Sequence, residues 1–432
     1  MTNAIALKLK SLIDTNTQLV ELRDADVYWQ KLDGAIANTD TPIYLVFPPT
    51  IEILAEIVKI AARQQWKILI CGNGSKFWGG LGKDIQLVVS TKQCDRLIEH
   101  AVGDLTVTAE AGMKLVDLQA RLRSHNQFLP IDPSHDDATL GGIVATADTG
   151  SWRQRYGGVR DLLLGLSFVR ADGEVAKAGG RVVKNVAGYD LMKLFTGAYG
   201  TLGIITQLTF RTYPLITTSQ TLLLTGEANA IANLTQTIRS SGLTPTAMDL
   251  LSTSVLERLD LGTGTGLIIR WQTIPESIEQ QIEEVNILAQ QLNLNTNSDF
   301  DRSQTELWQK CANVTSIPRS DTSAICKIGI APNAAVNFLQ LKQVVDRMIA
   351  VRVHASSGIG QLQLDNVDEG IISELRSYCQ QNYGFLTVLD ASKAFKQQVD
   401  LWGYSGNALK TMQAIKSQFD PQNILNPGCF LV

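Results

Sequence analysis

The stretch "ILICGNGSKFWGGLG", Ile68 to Gly82, decides how this chain is read. A buried-strand pattern, "KILI", runs into five glycines with one serine and one lysine. A dinucleotide fingerprint needs a helix behind its glycines to receive a pyrophosphate. Here "FWGGLG" and then the strand-like "IQLVVS" follow, so a Rossmann site does not fit. The Gly-Lys-Ser/Thr of a P-loop is absent as well. Two readings stay open: a surface turn, or an anion-binding nest of backbone N–H groups. In the nest, Gly72 and Gly74 permit positive φ and close approach of an anion. Ser75 adds a hydroxyl, and Lys76 is placed to offset a diphosphate.

Around that loop the expected elements alternate. "VFPPT" breaks the chain, and Thr50 is a good N-cap. "IEILAEIVKIAARQQ" predicts a helix with Ile53, Ile57, Ile60 and Ala61 on its apolar face. "LTVTAEAGM" predicts a strand, and "KLVDLQARLRSHN" a helix packed through Leu115, Leu118 and Leu122. "LLLGLSFVRADGEVAKAG" predicts a hairpin turning at Asp172-Gly173. "YDLMKLFTGAYG" predicts a short helix, and "TLGIITQLTFRTYP" a long strand.

Two further small-residue runs follow the loop. "DPSHDDATLGGIVATADTGSWRQRYGGVRDLLLG", Asp132 to Gly165, keeps side chains small over a long stretch. A flat ligand is thereby able to lie against backbone, with N–H groups free for its acceptors. "GGRVVKNVAGYDLMKLFTGAYGTLGIIT", Gly179 to Thr206, repeats the theme. Tight packing of turns explains one such run more readily than three in order.

From about residue 216 the glycine clusters thin out. "ESIEQQIEEVNILAQQLN" and "AVNFLQLKQVVDRMI" predict helices, and "GLIIRWQ", "CKIGIA" and "GQLQLD" short strands. That pattern is α+β with an antiparallel sheet. The chain then closes on a helix and the tail "FDPQNILNPGCFLV".

Composition sets outer bounds. The chain has 432 residues, 44% hydrophobic and 19% charged, with a formal net charge of −4. That is an ordinary globular balance with no electrostatic footprint for nucleic acid. The N-terminal "MTNAIALKLKSLIDTN" lacks a signal-peptide core, and no run approaches the roughly 18 apolar residues of a membrane span. The expectation is a cytoplasmic protein, with any membrane association made through partner subunits. Six cysteines without C-x-x-C spacing argue against a cluster or zinc site in this chain and for reduced, buried thiols. Four scattered histidines suggest no metal site by themselves.

Taken together, "CGNGSKFWGG", "ATLGGIVATADTGSWRQRYGGVRDLLLG" and "KNVAGYDLMKLFTGAYGTLGIIT" resemble the PCMH-type FAD domain of the vanillyl-alcohol-oxidase flavoproteins. "FDPQNILNPG" resembles the C-terminal signature of FAD-linked 2-hydroxy-acid oxidases. Within that branch, "GGRVVKNVAGYDLMKL" and "LWGYSGNALKTM" are similar to the FAD-binding E-subunit type of glycolate dehydrogenase (glycolate oxidase).

The resemblance implies an α+β fold: a helical lead-in over 1–40, an FAD domain of two α/β subdomains over 41–215, a cap with an antiparallel sheet over 216–398, and a segment over 399–432 returning to the FAD domain. It implies pyrophosphate contacts at Gly72, Asn73, Gly74, Ser75 and Lys76, flavin-side contacts at Thr139, Gly141, Gly142, Ala145 and Thr146, and backbone contacts at Ile204 and Ile205. With no histidine in the loop, the expected FAD is non-covalent. Lys184 is a candidate for positive charge beside a reduced flavin; a surface lysine is the plainer reading.

Catalytic members of the branch resemble H-x-G-D-G-N-x-H in the cap and E-H-G-I-G before the last helix, binding a divalent metal or the substrate hydroxyl. Here the first motif is reduced to "HASSGIGQ". His354 remains, Ser357 and Gln361 replace the acid and the second histidine, and the second motif is missing. No metal site is expected. Removing hydride from a 2-hydroxy acid needs an acceptor for the hydroxyl proton and a cation for the carboxylate. His354 and Arg352, two apart on a strand, are the candidates. Two functions compete: an FAD-binding subunit working with a catalytic flavoprotein and an iron–sulfur subunit, or a self-contained 2-hydroxy-acid dehydrogenase.

Overall fold

A computed structural model describes residues 2–10, 12, 18–76, 79–181, 189–298, 304–317 and 320–430. Lys184 lies outside the described residues. The chain forms two units: Met1–Thr149, Gly157–Leu215 and Tyr404–Val432 make the first, Gly150–Tyr156 and Ile216–Gly403 the second. Residues 150–156 thus cluster with the second unit although they fall inside the 41–215 stretch.

In the first unit, strands Tyr44–Phe47, Ile85–Ser90 and Lys67–Cys71 lie side by side in parallel. Helix Ile51–Gln64 is the crossover from Tyr44–Phe47 to Lys67–Cys71, the two parallel strands that flank Ile85–Ser90. Thr50 caps it, its Oγ1 accepting the Ile53 N–H at 3.4 Å. The buried face is Leu54, Ala55, Ile57, Val58 and Ala61, while Ile53 and Ile60 are only partly buried. The expected stripe is therefore turned. The 54, 57, 58, 61 spacing is the one that aligns on a 3.6-residue repeat. It packs on Val46, Ile68, Leu87 and Val89. Each large side chain so buried contributes about 1.5–3 kcal/mol.

The helical lead-in needs correcting too. Strand Gln18–Glu21 interrupts it and pairs antiparallel with Tyr44–Phe47. Covering the edge of the parallel sheet outweighs local helix preference there. The tail protects the opposite edge. Ile68 N donates to Ile424 O at 2.7 Å, and Asn426 N to Ile68 O at 2.8 Å.

A second sheet in this unit runs Leu97–Ala101, Thr106–Glu110, Ile204–Arg211, Leu163–Val169, Val175–Gly179, antiparallel throughout. Its last two strands form the hairpin expected at Asp172-Gly173, where Gly173 takes φ +84°.

The second unit is built on an eight-stranded sheet in the order Asn295–Asn297, Gln220–Gly226, Thr265–Trp271, Ala247–Leu251, Ala350–His354, Ile359–Leu364, Ala324–Gly329, Phe385–Asp390. All its pairings are antiparallel. Helix Gln304–Ser316 covers one face through Leu307, Trp308 and Cys311, packed with Leu223, Leu251, Ile268 and Ala350. The helix expected over "AVNFLQLKQVVDRMI" is two, Ala335–Leu339 and Lys342–Asp346. Leu341 turns extended between them, and Gln340 Nε2 donates to Thr265 Oγ1 at 2.9 Å.

Candidate functional sites

The glycine loop leaves strand Lys67–Cys71 and forms one wall of a cleft in the first unit. Gly72, Asn73, Gly74, Ser75 and Lys76 line it, facing Thr139, Gly141, Gly142, Ala145 and Thr146. Three segments far apart in sequence are thus brought together. Gly74 adopts φ +68°, and the backbone N–H groups of Asn73, Gly74 and Ser75 donate to no described residue. Polar N–H groups left open in a concave loop suit an anion. The closeness of the walls also explains the glycines. A Cβ on Gly72 would lie 2.1 Å from Thr139 Oγ1, and one on Gly80 2.1 Å from Gly428 O.

Three expectations change here. First, the small-residue run does not keep its N–H groups free. Leu140–Thr146 is a short helix, capped by Thr139 Oγ1, which accepts the Gly142 N–H at 3.3 Å. Leu140 N donates to Met113 O, and Gly141 N to Ala111 O. Backbone hydrogen bonding claims these donors because a buried N–H cannot stay unpaired cheaply. The run offers shape, with Thr146 Oγ1 itself turned back on Gly142 O at 2.8 Å.

Second, Lys76 is already neutralised. Its Nζ is 2.5 Å from Asp148 Oδ2, and either side chain is 3% exposed. Asp148 also accepts the Ser134 N–H and Oγ–H, both at 3.0 Å. Burial pushes the Asp148 carboxyl up, but the Lys76 ammonium and the Ser134 bonds outweigh it and hold the group below the usual carboxylate range. Third, Ile205 lines the cleft whereas Ile204 is wholly buried in the core.

Sequence reading missed Tyr199, Gly200, Asn426 and Cys429, which also line the cleft. Asn426 ties the wall together: its Oδ1 accepts the Ile70 N–H at 2.7 Å, and its Nδ2 donates to Tyr199 O at 2.6 Å. Both Tyr199 and Asn426 hold positive φ, 53° and 47°. Such non-glycine outliers concentrate at functional sites. The signal was present, since both residues lie inside the small-residue and tail segments singled out above.

A separate cluster lies within the second unit. Arg352 and His354 end the strand Ala350–His354, and Asp249 sits directly across from His354 in the ladder. His354 Nδ1 is 2.7 Å from Asp249 Oδ1. Asp249 Oδ2 accepts the Ser151 Oγ–H at 2.5 Å and lies 3.9 Å from Arg352 Nε. Asp249 is 0% exposed, His354 4% and Arg352 5%. Arg352 Nε is sealed without a hydrogen-bond partner, and the guanidinium bonds to no described residue. Nor does His354 Nε2. Gln361, at the second-histidine position, accepts instead from Ser316 Oγ at 3.0 Å. Among the described residues no three His, Cys, Asp or Glu side chains group as metal ligands. Asp249 and Ser151 escaped sequence reading; the available signal was a lone acid inside the apolar "AMDLL".

Comparison with known proteins gives this architecture a class. The chain is similar to p-cresol methylhydroxylase (TM-score 0.73, 15% identity, 99% of this chain and 96% of that one). It is also similar to alkyldihydroxyacetonephosphate synthase (TM-score 0.72, 14% identity, 98% and 84%). The fold is thus that of PCMH-type FAD-binding proteins. Residues 42–179 match the FAD binding domain family, and residues 400–429 the C-terminal domain of FAD linked oxidases.

Among curated relatives, glycolate oxidase subunit GlcD of Bacillus subtilis (strain 168) is 25% identical over 96% of this chain and 93% of its own. A probable mitochondrial D-lactate dehydrogenase of Danio rerio is 25% identical over 92% and 86%. Glycolate oxidase subunit GlcE of Escherichia coli (strain K12) is 36% identical, but over 38% and 47%. The chain carries the FAD binding domain and the C-terminal segment of FAD linked oxidases, and is an FAD-dependent oxidoreductase similar to glycolate oxidase subunits and D-lactate dehydrogenases. The E-subunit likeness covers 166 residues, so the full-length likeness is to D-type subunits and D-lactate dehydrogenases.

Proposed function

We propose that this chain takes a small 2-hydroxy acid, glycolate or D-lactate, as its own substrate. The observation that carries this reading is the buried Arg352 guanidinium, without a hydrogen bond, beside His354. A buried guanidinium that makes no hydrogen bond, and only a 3.9 Å ion pair to Asp249, suits a carboxylate, which Arg binds through two parallel hydrogen bonds. The adjacent imidazole is suited to take the hydroxyl proton, a contribution of typically 10²–10⁴-fold in rate. FAD, when bound, accepts the hydride. The open N–H groups of Asn73, Gly74 and Ser75 would hold its pyrophosphate, with Thr139, Gly141, Gly142, Ala145, Thr146 and Ile205 shaping the cleft, and no covalent link.

A second reading is supported by Ser357 and Gln361 in place of ligand-type residues, and by the likeness to GlcE. In it the chain is an FAD-bearing subunit of a glycolate dehydrogenase complex, acting beside a catalytic flavoprotein and an iron–sulfur subunit. No helix among the described residues is long and apolar enough to cross a membrane. Anaerobic mixing of the purified, FAD-loaded chain with glycolate or D-lactate separates the two. Rapid stoichiometric bleaching of the flavin supports the first reading. A flavin that stays oxidised until partner subunits are added overturns it in favour of the second.

A further inference from the structure

Asp249 is the centre of the second-unit cluster. It occupies the strand Ala247–Leu251 between Met248 and Leu250, all three fully or almost fully buried. A buried carboxylate is costly unless paired and hydrogen-bonded. The ion pair to Arg352, at 3.9 Å, is too long for a hydrogen bond. The close contacts go to the imidazole at 2.7 Å and to the serine hydroxyl at 2.5 Å. Burial raises the Asp249 carboxyl, but His354, Arg352 and Ser151 outweigh it, so the group stays ionised.

An ionised carboxylate only accepts hydrogen bonds. The nitrogen 2.7 Å from it, Nδ1, therefore carries a proton. In a neutral imidazole the lone pair is then on Nε2, the nitrogen that bonds to no described residue. Ser151, from the short segment Gly150–Tyr156, fixes the other carboxylate oxygen and with it the plane of the pair.

We propose that Asp249 is a positioning residue: it locks His354 as the Nδ1–H tautomer, so that Nε2 accepts the hydroxyl proton of a 2-hydroxy acid whose carboxylate Arg352 holds. This rests on the reading that the chain takes the acid itself. In the step the substrate O–H bond breaks and an N–H bond forms at Nε2. FAD, when bound, would be the oxidant that takes up the hydrogen of the carbon–hydrogen bond with both its electrons, leaving the hydroxyl carbon as a carbonyl. Cys311 couples electrostatically to Arg352, Asp249 and Arg270, and burial pushes its thiol up to about 12.

The test uses the FAD-loaded chain labelled with ¹⁵N-histidine. It has four histidines, and His354→Gln assigns the resonance. At a pH where the ring is neutral, the expected spectrum shows Nδ1 protonated and Nε2 bare. Asp249→Asn is expected to move or average the proton and to lower the limiting rate of flavin reduction by D-lactate about 10²–10⁴-fold, with half-saturation changed less than about threefold. Ser151→Ala, which keeps every charge, is expected to lower the same rate by a smaller factor at unchanged FAD content. If Asp249→Asn does not fold, the wild-type spectrum and Ser151→Ala decide. A wild-type proton on Nε2, or an unchanged limiting rate in the variants, overturns the proposal. If neither acid bleaches the wild-type flavin, the substrate reading has failed, while the spectrum still reports whether Asp249 sets the tautomer.

Discussion

The Lys76 ammonium and the Asp148 carboxylate lie 2.5 Å apart, with 3% of either side chain exposed. The pair joins the end of the glycine loop to the residue just beyond helix Leu140–Thr146, and so sets the spacing of two cleft walls. Removing one partner leaves the other charge buried and uncompensated, a loss of about 3–5 kcal/mol. Lys76→Met and Asp148→Asn are each expected to destabilise by that amount and to weaken FAD binding at least tenfold. The double variant is expected to recover part of the stability, because no lone charge remains. Urea unfolding with flavin fluorescence measures both quantities.

The same pair predicts an acid limit. Asp148 titrates below the usual carboxylate range in the folded chain and near about 3.9 when unfolded. Its contribution is therefore complete above the unfolded value and lost as pH falls through the lower folded value. Wild type is expected to release FAD over that acid window. In Asp148→Asn the corresponding part of the pH dependence should be absent in a flavin-release titration.

Asn426 is the polar link between the tail and the cleft. Asn426→Ala strands the Ile70 N–H and the Tyr199 carbonyl, a cost of about 1–3 kcal/mol for each buried group left unpaired. The expected outcome is a lower unfolding midpoint and FAD lost on gel filtration, with far-UV circular dichroism unchanged.

Glycine positions separate close packing from loop freedom. Gly72→Ala sets a methyl 2.1 Å from the capping oxygen Thr139 Oγ1. Thr139 has to turn away, uncapping helix Leu140–Thr146 at about 1 kcal/mol and reshaping the cleft. Gly103 has open space around its Cβ position. Gly72→Ala is expected to purify with little FAD and Gly103→Ala with a full complement, read by the flavin-to-protein absorbance ratio.

The thiols give a check on the cofactor linkage. All six cysteines are buried, and desolvation pushes the Cys71 thiol, at the mouth of the glycine loop, up to about 12. The native chain should leave them unmodified by a thiol reagent at pH 8, since the thiolate is the reactive form. All six should react after denaturation. Acid precipitation should then leave the flavin in the supernatant; flavin in the pellet would overturn non-covalent binding.

Much of the first unit was legible in sequence because its signals are local. The glycine loop, the Asp172-Gly173 turn, the Thr50 cap and the apolar spacing at Leu115, Leu118 and Leu122 each act through neighbours in the chain. The loop also keeps Gly74 at positive φ and the N–H groups of Asn73, Gly74 and Ser75 open, both of them backbone properties. Tertiary structure decided what depends on partners distant in sequence. Lys76 read as a free cation until Asp148, 72 residues away, was seen to neutralise it. The strand Gln18–Glu21 read as part of a helical lead-in until the sheet edge supplied its hydrogen bonds. His354 read as a lone histidine until strand register set Asp249, 105 residues earlier, against its ring. Charge compensation and strand pairing are properties of contacts, and a sequence names the groups without saying which of them will meet.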